Sequence, residues 1–210
     1  MNLRRGVCWL FAILMGGRVL VAQTDDLLAR IMTGEQQAQA KFTTACGTVT
    51  EIRTSRLMVK PMVLRGKFCA EGTDRFMLAY GAPNAMEMRL NGNYLNIKAA
   101  GTKTQVMDIG GDVRRIQSSF GGQNSMEHLK KDFTVTAQEN NLDFELRLVP
   151  RAETLRRKFN YLVVKLNKRD FLPRSLEVDG KGGVNSVFTF DISSVNIKLP
   201  EDTFEVSRTK

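Results

Sequence analysis

The chain has 210 residues, 31 Lys and Arg against 22 Asp and Glu, three Cys and a single His, with a formal net charge of +9. One His leaves no set with His/Cys metal-ligand spacing. A basic balance suits nucleic acid, but the cations are scattered along strands rather than gathered on a helix, and the export signal described next removes the chain from nucleic acid.

Met1 to Ala22 reads as a cleavable signal peptide: Arg4 and Arg5 open it, an apolar run follows from Gly6 to Gly17, and Val21-Ala22 offers a small residue before Gln23. The alternative is a membrane anchor, but the run is short for a span and Arg18 interrupts it. No Cys stands at the cut, so the chain does not read as a lipoprotein itself. Residues 23–210 then form a single domain by length. Loss of Arg4, Arg5 and Arg18 lowers the charge from +9 to +6.

Thr24-Asp25 predicts a helix N-cap, followed by Leu27, Leu28, Ile31 and Met32 at helical spacing and a polar continuation to Lys41. From Phe42 the period changes to two. Phe42 to Ile52 predicts a strand. Met62, Leu64 and Phe68 share one face of the next, and Phe76, Leu78 and Tyr80 one face of the third. Met86, Met88 and Leu90 lie opposite Glu87 and Arg89, and Asn91-Gly92-Asn93 predicts a tight hairpin into Tyr94 to Lys98. Gln105 to Ile109 is a further strand. Gly110-Gly111 and Gly121-Gly122 bracket a short helix from Val113 to Phe120, and Asn124-Ser125 caps another through Met126, Leu129 and Lys130. These glycines either let the insert move as a gate or merely join elements. Strands resume at Phe133 and recur at Leu142–Leu148, Tyr161–Leu166, Ser175–Val178 and Val184–Ile192.

Cys8 leaves with the leader. If the first two strands form a hairpin turning near Leu57-Met58, Cys46 and Cys69 face each other and a disulfide is allowed. The alternative is two separate buried thiols.

No Gly-x-Ser-x-Gly, no phosphate loop and no Cys-x-x-Cys occurs. His128 falls on a surface helix, and Glu87, Asp143 and Glu145 alternate outward, as solvated carboxylates do. An enzyme is therefore not expected, nor a metal or other cofactor. Arg151, Arg156, Arg157, Lys158, Lys165, Lys168 and Arg169 form a local basic cluster, read either as a solvated surface or as a transient contact with an anionic membrane or an acidic partner.

The order is a helix, about five strands, a helical insert, then about five strands. So long a meander curls, and its concave face needs a cover. Several stretches resemble the LolA family of periplasmic lipoprotein carriers: Gly66-Lys67-Phe68 with Arg75-Phe76, the hairpin from Met86 to Leu95, Phe144 to Pro150, Asp179 to Gly183 with Val187 to Phe190, and Leu199-Pro200-Glu201-Asp202-Thr203-Phe204. The resemblance implies a mainly β fold, an unclosed antiparallel barrel of about ten to eleven strands with helices lidding a hydrophobic cavity. It implies a cavity that holds acyl chains of lipoproteins or lipids, and a carrier that works as a monomer between an inner-membrane lipoprotein-releasing transporter and an outer-membrane acceptor. It also implies an Arg that holds the lid from the loop after the second strand; the matching position falls near Gly72, with Arg75 close by.

Eight Met remain after the leader: Met32, Met58, Met62, Met77, Met86, Met88, Met107 and Met126. They suit a deformable lining, or equally a solid core. The candidate lining is Leu28, Ile31 and Met32 from the first helix. The early sheet gives Met62, Leu64, Phe68, Phe76, Leu78, Met86, Met88 and Leu90. The insert gives Phe120, Met126 and Leu129, and the later strands Phe144, Leu146 and Phe188. Two other readings stand beside the lipoprotein carrier: a carrier of free lipid or glycolipid, and a sensor or regulatory domain that binds a protein partner.

Overall fold

The period-two patterning becomes a sheet of eleven antiparallel strands in a computed structural model, which describes residues 17–109 and 125–207. Helix α1 (Gly17–Lys41) leads into β1 (Thr44–Ser55), β2 (Met62–Glu71), β3 (Arg75–Tyr80), β4 (Met86–Asn91), β5 (Tyr94–Ala99) and β6 (Gln105–Asp108). Then come α2 (Ser125–Asp132), β7 (Phe133–Glu139), β8 (Asp143–Pro150), a single turn α3 (Glu153–Arg156), β9 (Phe159–Asn167), β10 (Pro173–Gly180) and β11 (Val184–Val195). The early group has six strands, at the six places the sequence marks before the insert. The predicted helix from Val113 to Phe120 and both glycine pairs lie outside the described residues.

The sheet order is β6-β5-β4-β3-β2-β1-β11-β10-β9-β8-β7. The first and last strands meet where β1 pairs with β11, and β6 and β7 are the two outer strands of an unclosed barrel. The Asn91-Gly92 turn behaves as its sequence predicts: Gly92 has φ +58° and Asn91 pairs with Tyr94. At the β1–β11 seam the register slips between Cys46 and Gly47, and a Cβ on Gly47 would stand 1.9 Å from the Asp191 carbonyl. A bulge with a bare residue lets the two backbones close and the sheet bend.

Helix α1 is longer than expected. It runs through Thr24 from Gly17, so Thr24 is an interior residue and not an N-cap. No Gly or Pro separates Arg18 from Thr24, so nothing ends the helix there, and a cap signal acts only where a helix begins. Its apolar stripe buries Leu28, Ile31 and Met32.

Cys46 and Cys69 sit opposite each other in the β1–β2 ladder and are joined by a disulfide, with Cα atoms 4.2 Å apart. Closing a loop of this length stabilises by about 3 kcal/mol.

Candidate functional site

Strand registers place one set of residues on a single face of the sheet. Met88 pairs with Leu78 and Ile97, Leu78 with Phe68, Phe68 with Gly47, Glu51 with Leu64 and Phe188, Phe188 with Leu176, Leu176 with Val164, and Val164 with Leu146. Alternation carries the same face through Met62, Phe76, Met86, Leu90, Phe144 and Phe190. The candidate lining residues from the strands therefore share one apolar face across the barrel.

That face has two halves. In one, Leu28, Ile31 and Met32 of α1 and Leu129 of α2 pack on Phe133, Phe144, Leu146, Leu148 and Leu166, with Met126 and Phe171 against them. Leu28, Ile31, Met32, Leu129, Phe144 and Leu146 are all at most 3% exposed, so this half is a closed core. An acyl chain reaching these six would have to displace contacts already made.

The other half is built from β1 to β4 and β11. Val49, Leu64, Phe68, Leu78 and Tyr80 are buried, and Met62, Phe76, Met86, Met88, Phe188, Phe190 and Ile192 are only partly buried around them. Phe68 joins the two ends of this patch: its ring lies 6.3 Å from Phe76 on β3 and 5.1 Å, edge-on, from Phe190 on β11. Leu90 is also partly exposed and continues the row. Phe120 lies outside the described residues. Among the described residues, then, the apolar side chains left partly open on this half include the flexible Met and Phe of β2, β3, β4 and β11, with Leu90 and Ile192 beside them.

A polar group interrupts the open half. Glu51 is fully buried beside Leu64 and Phe188. Its carboxylate accepts the Tyr80 hydroxyl at 2.5 Å and Arg53 Nε at 2.9 Å, with Arg53 also ion-paired at 2.8 Å. Burial, and then the hydrogen bond to Glu51, push the Tyr80 hydroxyl well above the usual phenol range. Glu87, Asp143 and Glu145 pair at the surface, with Arg89, Arg174 and Lys165. Glu51 is the one missed; its parity with Val49 was the available signal.

Arg75 does not reach the helices: it pairs with Glu71 at 2.8 Å on an exposed edge. The polar ties of α1 are instead Arg30 to Glu139 of β7 at 3.1 Å and Asp25 to Lys130 of α2 at 2.8 Å. Lys168 also grips Glu139 at 2.5 Å, and these cations hold the Glu139 carboxyl below its usual range. Such exposed pairs are screened by water and hold weakly, so apolar packing does most to hold α1 down. Glu35 of α1 is the exception to easy burial: desolvation pushes its carboxyl up to about 7, against a partly offsetting hydrogen bond from Gln39.

Among the described residues, the cavities that flank the barrel include two of comparable volume. One of about 450 Å3 opens between the β9–β10 turn and the end of β11, lined by Phe42, Asp170, Arg174, Phe190 and Ile192 among others. The second, of about 470 Å3, lies between Thr44, Arg75, Asn196 and Phe204. Only the first touches the apolar face, at Phe190 and Ile192. His128 is exposed on α2. Among the described residues no three of His, Cys, Asp and Glu stand together as metal ligands, and no helix is long and apolar enough to cross a membrane.

Comparison with protein-family models and with curated protein sequences gives no match. Solved structures do resemble the chain. A LolA superfamily protein from Nitrosomonas europaea aligns over 85% of this chain and 97% of its own at 10% identity, with a TM-score of 0.43. The Mycobacterium tuberculosis lipoprotein LppX aligns over 84% and 98% at 12% identity and a TM-score of 0.46. The Pseudomonas aeruginosa MucA/MucB complex structure aligns over 88% of this chain but 61% of its own, at 12% identity and 0.46.

Proposed function

We propose that the protein is a non-enzymatic periplasmic carrier that holds acyl chains of lipoproteins against the open half of its apolar face and transfers them from the inner to the outer membrane. The observation that carries this reading is the contrast between the halves. The α1 half is packed to at most 3% exposure at six of its seven candidate lining positions, Met126 being partly buried, whereas Met62, Phe76, Met86, Met88 and Phe188 remain partly open in the other half. Six methylenes buried there contribute about 5 kcal/mol, and unbranched Met adapts to chains of different length. The sequence resemblance to lipoprotein carriers supports the cargo class, as does the leader Met1 to Ala22, whose removal would leave residues 23–210 as one exported domain. An inner-membrane releasing transporter and an outer-membrane acceptor would be its partners.

Uptake of a fluorescent fatty acyl probe tests the site, and release of triacylated proteins from inner-membrane vesicles tests the cargo. Probe uptake without release assigns a carrier of free lipid. Failure of both assigns a partner-binding module and overturns the carrier.

A further inference from the structure

The β1–β2 hairpin ends in a feature that the carrier site does not use. At its tip Leu57 is 96% exposed and Val59 99% exposed, more than any other large apolar residue of the described chain. Behind the tip, on the face opposite the apolar trough, Ile52 and Val63 pair across the ladder and are 43% and 45% exposed. A soluble surface does not gather such residues without a partner.

Charge names the partner. Between Ile52 and Lys67 the chain carries Arg53, Arg56, Lys60, Arg65 and Lys67 and no acidic residue. Arg53 is taken up by Glu51. Arg56, Lys60, Arg65 and Lys67 are exposed and have no ion-pair partner among the described residues. Arg56 and Lys60 flank the two apolar side chains directly. The basic cluster that the sequence singles out is largely engaged: Arg157, Lys165 and Lys168 pair with Glu153, Glu145 and Glu139, and Arg151 donates to Thr134, while Arg156 and Arg169 are exposed without an ion pair among the described residues. Apolar side chains at a tip with a collar of free cations match a bilayer interface with anionic headgroups, into which the tip sinks while the collar meets phosphates.

We propose that the β1–β2 hairpin tip docks the protein on an anionic membrane surface through Leu57 and Val59, with Arg56 and Lys60 as its electrostatic collar and Arg65 and Lys67 adding positive charge further up the strand. The assignment stands on the tip alone and goes beyond the identity of the cargo. It also orients the molecule, because Arg53 and Met62, partners across the same hairpin, bring the end of the open apolar face to the membrane side.

The test is flotation of the purified protein with vesicles of phosphatidylethanolamine and phosphatidylglycerol, against vesicles of phosphatidylcholine alone. Binding is expected to the anionic vesicles and to weaken as salt rises. L57D/V59D should weaken it at least about tenfold, and R56A/K60A about thirtyfold at low salt. All four positions are exposed, so both variants keep the native circular dichroism and still take up the acyl probe, which separates failure of the tip from failure of the trough. Absence of binding to anionic vesicles, or wild-type binding by L57D/V59D, would overturn the proposal. In the second case the contact lies elsewhere, at the cluster around Arg151.

Discussion

The Tyr80 hydroxyl donates to the buried Glu51 carboxylate at 2.5 Å, although a whole strand lies between β1 and β3. Gly66 makes this reach possible. It stands between Val49 and Tyr80 in the ladders, and a Cβ there would meet the Tyr80 ring at 3.0 Å and the Ala79 carbonyl at 2.3 Å. Tyr80→Phe leaves a buried carboxylate one donor short and should destabilise the fold by about 1–2 kcal/mol in urea unfolding. A Tyr80→Phe variant as stable as wild type would mean that the pair contributes nothing net. Gly66→Ala should cost more than Tyr80→Phe, because backbone must move as well.

The two halves of the apolar face should separate under mutation. Met88→Glu places a charge on the open half, where the side chain has room to turn to water. The variant should fold and lose acyl-probe affinity at least about tenfold, the scale of a charge in an apolar contact. Leu146→Ala empties a site that is 1% exposed and should destabilise by about 2–5 kcal/mol while leaving probe affinity within about twofold. Normal probe binding by Met88→Glu would remove Met88 from the site.

Glu35 sets a pH dependence. Its folded pKa of about 7 lies above the ordinary 4.5, so the folded state binds the proton more tightly than the unfolded chain. Stability from this group therefore rises as pH falls from about 8 towards 4.5, and is lost as pH rises through 7. The swing is on the order of 2 kcal/mol, reduced by partial exposure. Urea midpoints at pH 5.5 and pH 8 check it. Glu35→Gln should flatten the difference and stabilise the protein at pH 8; an unchanged pH profile in that variant would assign the titration to another group.

Reduction of the Cys46–Cys69 bond, or Cys46→Ser with Cys69→Ser, should lower stability by about 3 kcal/mol with little change in probe affinity, since both residues face away from the trough. Arg30→Ala should cost less than about 1 kcal/mol. A loss of several kcal/mol there would make the Arg30–Glu139 pair a true latch.

Much of the fold was legible because period two is a local signal. Met86, Met88 and Leu90 declare their common face without any tertiary information, and Asn91-Gly92 fixes the register of the hairpin that follows. The shared face of the candidate lining was legible for the same reason. What the sequence hid depends on which elements meet. Nothing local to Leu28 or Leu146 tells that α1 closes over β7 and β8 and leaves Met88 partly open. Nothing near Glu51 tells that a tyrosine 29 residues away reaches it over a glycine. Thr24 misled because a cap residue and an interior helical residue look alike until the start of the helix is known. Leu57 and Val59 continued no strand pattern, and their exposure needed the hairpin to be built.

The most direct measurement is native mass spectrometry with lipid extraction on protein purified under mild conditions from a diderm host. The account predicts bound acyl chains, from lipoprotein or phospholipid, that are lost in Met88→Glu. Protein that emerges empty, and stays empty after incubation with lipid, would contradict it.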